Sequence, residues 1–200
     1  MANWGELIIT SLSSGTVVAV VNHYLQLSRR KKEIIFENKS TLIREKMKNF
    51  YDINRDLNEI VLTIFNIEKS MSDFKDYSLN ENNEKLKEKF ENTKKSIENS
   101  EEKTEDRLKN LDSNLVFFPK TKNSMHINGF DGKLSDVFDS FQKLKNLNKV
   151  PFVDSFTQEE NEIFTDFVMS CSRFLNAGKK VLDKLTAEGN EIYKYLDDEK

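Results

Sequence analysis

Apolar side chains follow two patterns along the chain, and the first is an uncharged stretch near the N-terminus. Residues 7–25 read LIITSLSSGTVVAVVNHYL and contain no Asp, Glu, Lys or Arg. A helix of this length covers about 28 Å, which is close to the ~30 Å hydrocarbon core of a bilayer. Its serines and threonines are tolerated in lipid because they can bond to carbonyls of their own helix. The pattern predicts a transmembrane anchor over residues 1–28.

The second pattern is a run of apolar residues spaced alternately three and four apart. An average spacing of 3.5 residues places them on one helix face, which is typical of coiled coils and helix bundles. Phe36 and Ile43 extend one row of the run backward at intervals of seven. The sequence therefore predicts a long helix over about residues 31–76. Its helix-packing seam consists of Phe50, Ile53, Leu57, Ile60, Ile64, Ile67, Met71 and Phe74.

The next segment, residues 84–112, is helical in propensity but very polar, with a thin apolar stripe. The preceding YSLNENN is polar and rich in asparagine, which favours a turn. The simplest arrangement is an antiparallel helical hairpin over residues 29–118. Disorder is the competing interpretation of residues 84–112, because few apolar side chains are present to offset the cost of ordering the chain.

The remainder of the chain resumes an apolar helical period after an interruption. Residues 119–133 contain Asn-Gly and Asp-Gly and are predicted to form an irregular loop. Residues 134–200 are predicted to form two C-terminal helices that pack on the bundle, the second beginning at the capping box Thr157-x-x-Glu160. With 6 Gly and 2 Pro in 200 residues, few residues interrupt helices. The predicted fold is all-α, with an N-terminal transmembrane helix and a coiled-coil-like bundle of about four helices.

Charge is distributed unevenly around the predicted anchor. Arg29, Arg30, Lys31 and Lys32 follow it directly, whereas the residues before it contain no Lys or Arg. By the positive-inside rule, this predicts a single-pass protein of the cell membrane with its N-terminus outside and its C-terminal domain in the cytoplasm. A cleaved signal peptide would carry its basic residues before the apolar run. A soluble core helix is the alternative to an anchor.

The partners that these features favour are membrane lipids and another protein chain. The basic run is explained by anionic lipid headgroups, and the net charge of −3 argues against a nucleic-acid partner. Small residues recur every four positions at Ser11, Gly15 and Ala19, which allows close packing of two membrane helices. We therefore expect a homo-oligomer or an unidentified protein partner.

The sequence predicts no catalytic residue, cofactor or metal site. None of the glycine-rich phosphate motifs or the GxSxG motif occurs. Cys171 is the only cysteine, and neither His23 nor His126 belongs to a Glu-x-x-His pair of the kind that holds two iron ions in a bundle. These observations favour a protein that is not an enzyme.

The stretch NHYLQLSRRKKEIIFENKSTLIREKMKNFYDI, residues 22–53, resembles a broad group of uncharacterised bacterial and phage single-pass membrane proteins. In that group, an N-terminal span is followed by a basic run and a cytosolic helical domain. The resemblance implies no site residue. Together with the patterns above, it favours a non-enzymatic membrane-anchored protein that mediates self-assembly or partner docking at the cytosolic face. The alternatives are a small membrane-disrupting, pore-type effector, for example in phage defence, and a soluble helical adaptor.

Overall fold

A computed structural model describes residues 4–77, 83–147, 149–150 and 156–197. Side chains are described within these ranges except over residues 4–21, 74–77 and 195–197. The prediction of an all-α fold is confirmed for this part of the chain. The elements in chain order are α1 (Trp4–Tyr77), α2 (Asn83–Asn114), a 3₁₀ turn (Leu115–Phe117), α3 (Pro119–Ile127), α4 (Phe130–Lys145) and α5 (Gln158–Asp197).

The chain forms two compact units, Met1–Glu45 and Lys46–Lys200, and α1 contributes to both. In the second unit, α1, α2, α4 and α5 form a ring of neighbouring helices. One contact identifies each interface: Glu59–Arg107 joins α1 to α2, Glu101–Gln142 joins α2 to α4, Phe141–Phe167 joins α4 to α5, and Glu68–Ser172 joins α5 to α1.

Neighbouring helices in this ring run in opposite directions. Along the α5–α1 interface, for example, Ser172 contacts Glu68 at 2.6 Å and Tyr193 contacts Tyr51 at 2.9 Å. Residue numbers therefore rise along α5 in the direction in which they fall along α1. The contacts between α2 and α4 and between α4 and α5 follow the same rule. The second unit is therefore an up-down-up-down four-helix bundle.

The predicted seam of α1 lies in the centre of this bundle. Five of its members have no exposed surface and Ile67 is 6% exposed, whereas Phe50 is half-buried. The side chain of Phe74 lies outside the described residues. The five are Ile53, Leu57, Ile60, Ile64 and Met71. Burial of side chains of this size contributes about 1.5–3 kcal/mol each, which makes the seam a main source of stability.

Helix α2 is ordered over the range for which the sequence left disorder open. Its thin apolar stripe is sufficient because the three other helices of the ring supply the remaining core. Leu86, Phe90, Ile97 and Leu111 are all fully buried in it. The predicted turn before α2 falls largely on residues 78–82, which lie outside the described residues.

The prediction of an irregular loop over residues 119–133 is wrong. Helix α3 occupies Pro119–Ile127, and α4 already begins at Phe130. Pro119 is at the first helical position, where its missing N–H costs nothing and its fixed φ favours helix. The Asn-Gly pair forms only the tight corner between α3 and α4, where Gly129 has a φ of 59°.

The predicted capping box at the start of α5 is confirmed. The Thr157 amide donates to Glu160 Oε2 at 2.7 Å, and the Glu160 amide donates to Thr157 Oγ1 at 3.2 Å. Lys149 also donates to Glu160 Oε2, at 2.8 Å. The hydrogen bond from Lys149 and the bond from the Thr157 amide hold the pKa of the Glu160 carboxyl below its ordinary value.

Candidate docking surface

The residues predicted to pack in the membrane lie in the N-terminal part of α1. Ser11, Gly15 and Ala19 are helical, and their side chains are outside the described residues. Within the described part of the chain, no helix is both long enough and apolar enough to cross a membrane. Most of the predicted anchor, up to residue 21, falls on side chains outside that description, so the anchor stays a prediction.

The basic run lies on the first unit's section of α1. Arg29, Arg30, Lys31 and Lys32 are all exposed. Four consecutive residues cover a full turn of an α-helix, so these cations surround the helix axis instead of forming one stripe. Exposed cations of this kind attract anionic headgroups or carboxylates within about one Debye length, ~8–10 Å at ordinary salt.

Large apolar side chains are exposed along the same section of α1. Seven of them between residues 24 and 42 have exposed fractions from 49% to 73%. They are Tyr24, Leu25, Leu27, Ile34, Ile35, Phe36 and Leu42. Single exposed apolar residues are ordinary, but a concentration of them on one helix marks a surface that contacts another apolar body.

Six residues on one side of this section form what we call the basic-apolar face. It consists of three pairs, each seven residues apart: Lys32 and Lys39, Ile35 and Leu42, and Phe36 and Ile43. Residues three, four and seven apart share one side of an α-helix, so the three pairs form adjacent rows. Five of the six side chains are exposed and Ile43 is half-buried.

The spacing of the seam predicts a continuation at Phe36 and Ile43, but it does not include Ile35 and Leu42. In the sequence, Ile35 and Leu42 form a second row at the same interval of seven. The seam differs from this face because its side chains are buried within the chain. Ile53, Ile60 and Ile64 have no exposed surface, so the seam has no free side for a second chain to contact.

Polar groups inside the bundle are used structurally. Burial, together with the nearby Glu68 carboxylate, raises the pKa of the Cys171 thiol to about 12, so almost no thiolate forms at neutral pH. The buried Lys94 ammonium donates to Glu91 Oε1 at 2.9 Å and lies within 3.5 Å of the Leu147 carbonyl oxygen. Lys94 thereby fastens the segment after α4 to α2.

A polar groove of 510 Å³ lies between α1 and α2. Three of its hydroxyls, on Thr63, Thr93 and Ser100, donate to carbonyls of their own helices and are therefore not directed at a ligand. No group of His, Cys, Asp or Glu in the described residues is arranged to hold a metal ion.

Comparison of this chain with protein-family models, with curated proteins and with solved structures finds no match. The resemblance of residues 22–53 to bacterial and phage membrane proteins thus stays a prediction.

Proposed function

We propose that this protein is a non-enzymatic, membrane-anchored docking protein. The N-terminal apolar stretch attaches the chain to the cell membrane, and the four-helix bundle lies on the cytosolic side. The section of α1 that follows the anchor offers a surface to a partner. The contact surface in this proposal is the basic-apolar face, because the seam is buried within the bundle.

The observation that carries the proposal is the contrast between two sections of one helix. From Ile53 to Met71, the seam positions of α1 are buried within the chain, and only Leu62 and Phe65 beside them are about half exposed. From Tyr24 to Leu42, apolar side chains of the same kind are about half exposed or more. Complete burial of an exposed side chain of this size contributes roughly 1.5–3 kcal/mol, and a membrane or a partner chain that covers the exposed half would supply about half of that free energy.

The location of the basic run supports attachment to the membrane at the cytosolic face. Arg29–Lys32 begin four residues after the uncharged stretch of residues 7–25. Each basic residue near an anionic leaflet contributes up to about 1 kcal/mol. The same residues would keep the segment after the span from crossing the bilayer.

Membrane attachment is tested by producing the full chain and extracting membranes with alkaline carbonate. We expect the parent to stay in the pellet and Val17→Arg/Val20→Arg to be released, because arginine at the centre of a span costs ~2.5–3.5 kcal/mol each on insertion scales. Asn38→Arg/Thr41→Arg adds the same charge at exposed positions of α1 and should stay in the pellet.

Three outcomes contradict the proposal. Recovery of the parent in the soluble fraction would favour a soluble helical adaptor. Leakage of dye from vesicles that contain the purified chain would favour a pore-type effector. A cytosol-specific reporter fused after Lys200 should be active, and activity of an exterior-specific reporter instead would reverse the orientation.

A further inference from the structure

The basic-apolar face has a composition that specifies what can cover it. Rows of Ile35 and Leu42 and of Phe36 and Ile43 lie beside Lys32 and Lys39. In the heptad of the seam, Phe36 and Ile43 fall on the same row as Phe50, and the two lysines fall on the same row as Ile53. Apolar and cationic layers therefore alternate along this section.

A second copy of the chain fits this face poorly. In a parallel pair of identical helices, each layer packs against itself, so Lys32 would meet Lys32 and Lys39 would meet Lys39. Arg29 precedes them on the Phe36 row and adds another layer of like charge. Like charges that face each other at close range are destabilising, and a partner of opposite charge avoids that cost.

A lipid surface also fits the face poorly. Phe36 lies 11 residues beyond Leu25, the last residue of the uncharged stretch, on the same helix. At 1.5 Å per residue, this is a rise of roughly 16 Å along the axis. The apolar row would thus stand clear of the hydrocarbon region when the anchor spans the bilayer, whereas Arg29–Lys32 would remain near the headgroups.

We propose that the basic-apolar face, which consists of Lys32, Ile35, Phe36, Lys39, Leu42 and Ile43, docks an acidic amphipathic helix of another protein. Apolar side chains of that helix pack on the isoleucine, leucine and phenylalanine rows. Its carboxylates pair with the two lysines. This is helix-in-groove recognition in which burial supplies the affinity and the charge layers select the partner and set the register. The inference rests on the proposed docking function and names the class of partner.

Binding is tested with the full chain in nanodiscs of zwitterionic lipid and a fluorescent synthetic helix of three heptads. The acidic probe carries Leu at the a and e positions and Glu at the d positions, and a basic probe has Lys in place of Glu. We expect the acidic probe to bind the parent and the basic probe to bind at least about tenfold more weakly. Phe36→Ser/Ile43→Ser should weaken binding of the acidic probe by about tenfold or more.

Charge reversal supplies the sharpest variant. Lys32→Glu/Lys39→Glu should lose the acidic probe and gain the basic one, because the pairing is reciprocal. Lys179→Glu/Lys180→Glu makes the same change in charge at exposed positions of α5 and should bind both probes as the parent does. The proposal is overturned if the parent does not prefer the acidic probe. It is also overturned if Lys32→Glu/Lys39→Glu and Lys179→Glu/Lys180→Glu bind the two probes with the same preference.

Two further results would assign the face to another occupant and so overturn the proposal. One is a disulfide between Phe36→Cys residues of two copies in native membranes, where the native Cys171 is buried and does not compete. The other is insertion of a fluorophore at the Phe36→Cys position into anionic but not zwitterionic nanodiscs. Carbonate extraction of the native membranes tests the proposed membrane attachment independently of helix docking. If the chain is membrane-bound but the probe fails, only the helix-docking inference is lost.

Discussion

Replacing Glu188 by alanine should destabilise the bundle through helix α3 and not through α5, where Glu188 resides. Glu188 is 7% exposed, and its carboxylate accepts hydrogen bonds from the backbone amides of Lys120 at 3.0 Å and Thr121 at 2.7 Å. These are the second and third residues of α3, and its N-cap residue, Phe118, makes no side-chain capping bond. Glu188 thus caps α3 from another helix and places a negative charge at its N-terminus.

The magnitude follows from what the alanine variant leaves behind. Loss of the cap at the Lys120 amide costs about 0.5–2 kcal/mol. A buried N–H without a partner costs a further ~1–3 kcal/mol, and this applies to the amide of Thr121, whose side chain is fully buried. The Lys120 amide is only partly buried and can bond to water. We therefore expect a loss of about 2–4 kcal/mol, out of a typical ~5–15 kcal/mol for a domain.

The assay is thermal and urea unfolding of the full chain in detergent, followed by helical circular dichroism. For a domain of this size, about 2–4 kcal/mol corresponds to a fall in Tm of roughly 5–15 °C. Amide exchange should also accelerate at Lys120 and Thr121 before it does in the centre of the bundle. Glu188→Gln keeps one acceptor oxygen and should fall between the parent and the alanine variant.

Glu191 provides the matched control. It lies one turn further along α5 and also contacts Lys120, through the side-chain ammonium at 2.6 Å. That ion pair is about half exposed, so Glu191→Ala should change the Tm little. If Glu188→Ala is no more destabilising than Glu191→Ala, the capping role of Glu188 is refuted.

Three further predictions concern the packing of α1 against α5. A Cβ on Gly178 would lie 2.7 Å from Val61 Cγ2, so Gly178→Ala should lower the free energy of unfolding by about 1–2 kcal/mol in urea titrations. Adding Val61→Ala to this variant should relieve the clash. Gly132→Ala is the control and should not destabilise the protein, because a Cβ there meets open space. Ile60→Asp should cause unfolding or aggregation, because it strands a carboxylate in the core; parental stability in a melting experiment would contradict the buried seam. Cys171 should react with a thiol reagent only as fast as the bundle unfolds, and rapid labelling of the folded chain would contradict its burial and raised pKa.

The sequence by itself was sufficient for features whose cause is local or periodic. A regular spacing of three and four residues predicts a buried face on any helix long enough to carry it, and the seam residues between Ile53 and Met71 are buried in the structure. The capping box at Thr157 and Glu160 was visible because both partners lie within one turn. The basic run Arg29–Lys32 was visible for the same reason, since charge density along a chain requires no fold to be recognised.

Only the tertiary structure decided features whose partners are distant in sequence. Helix α3 was missed because Asn-Gly and Asp-Gly indicate a loop, whereas the carboxylate that caps the helix is on Glu188, 67 residues beyond Thr121. The basic-apolar face was hidden for a related reason. The spacing of Ile35 and Leu42 resembles that of core residues, and a period alone does not reveal whether another helix is present to cover it. Burial depends on neighbours in space, and for this section of α1 the fold leaves the side chains exposed.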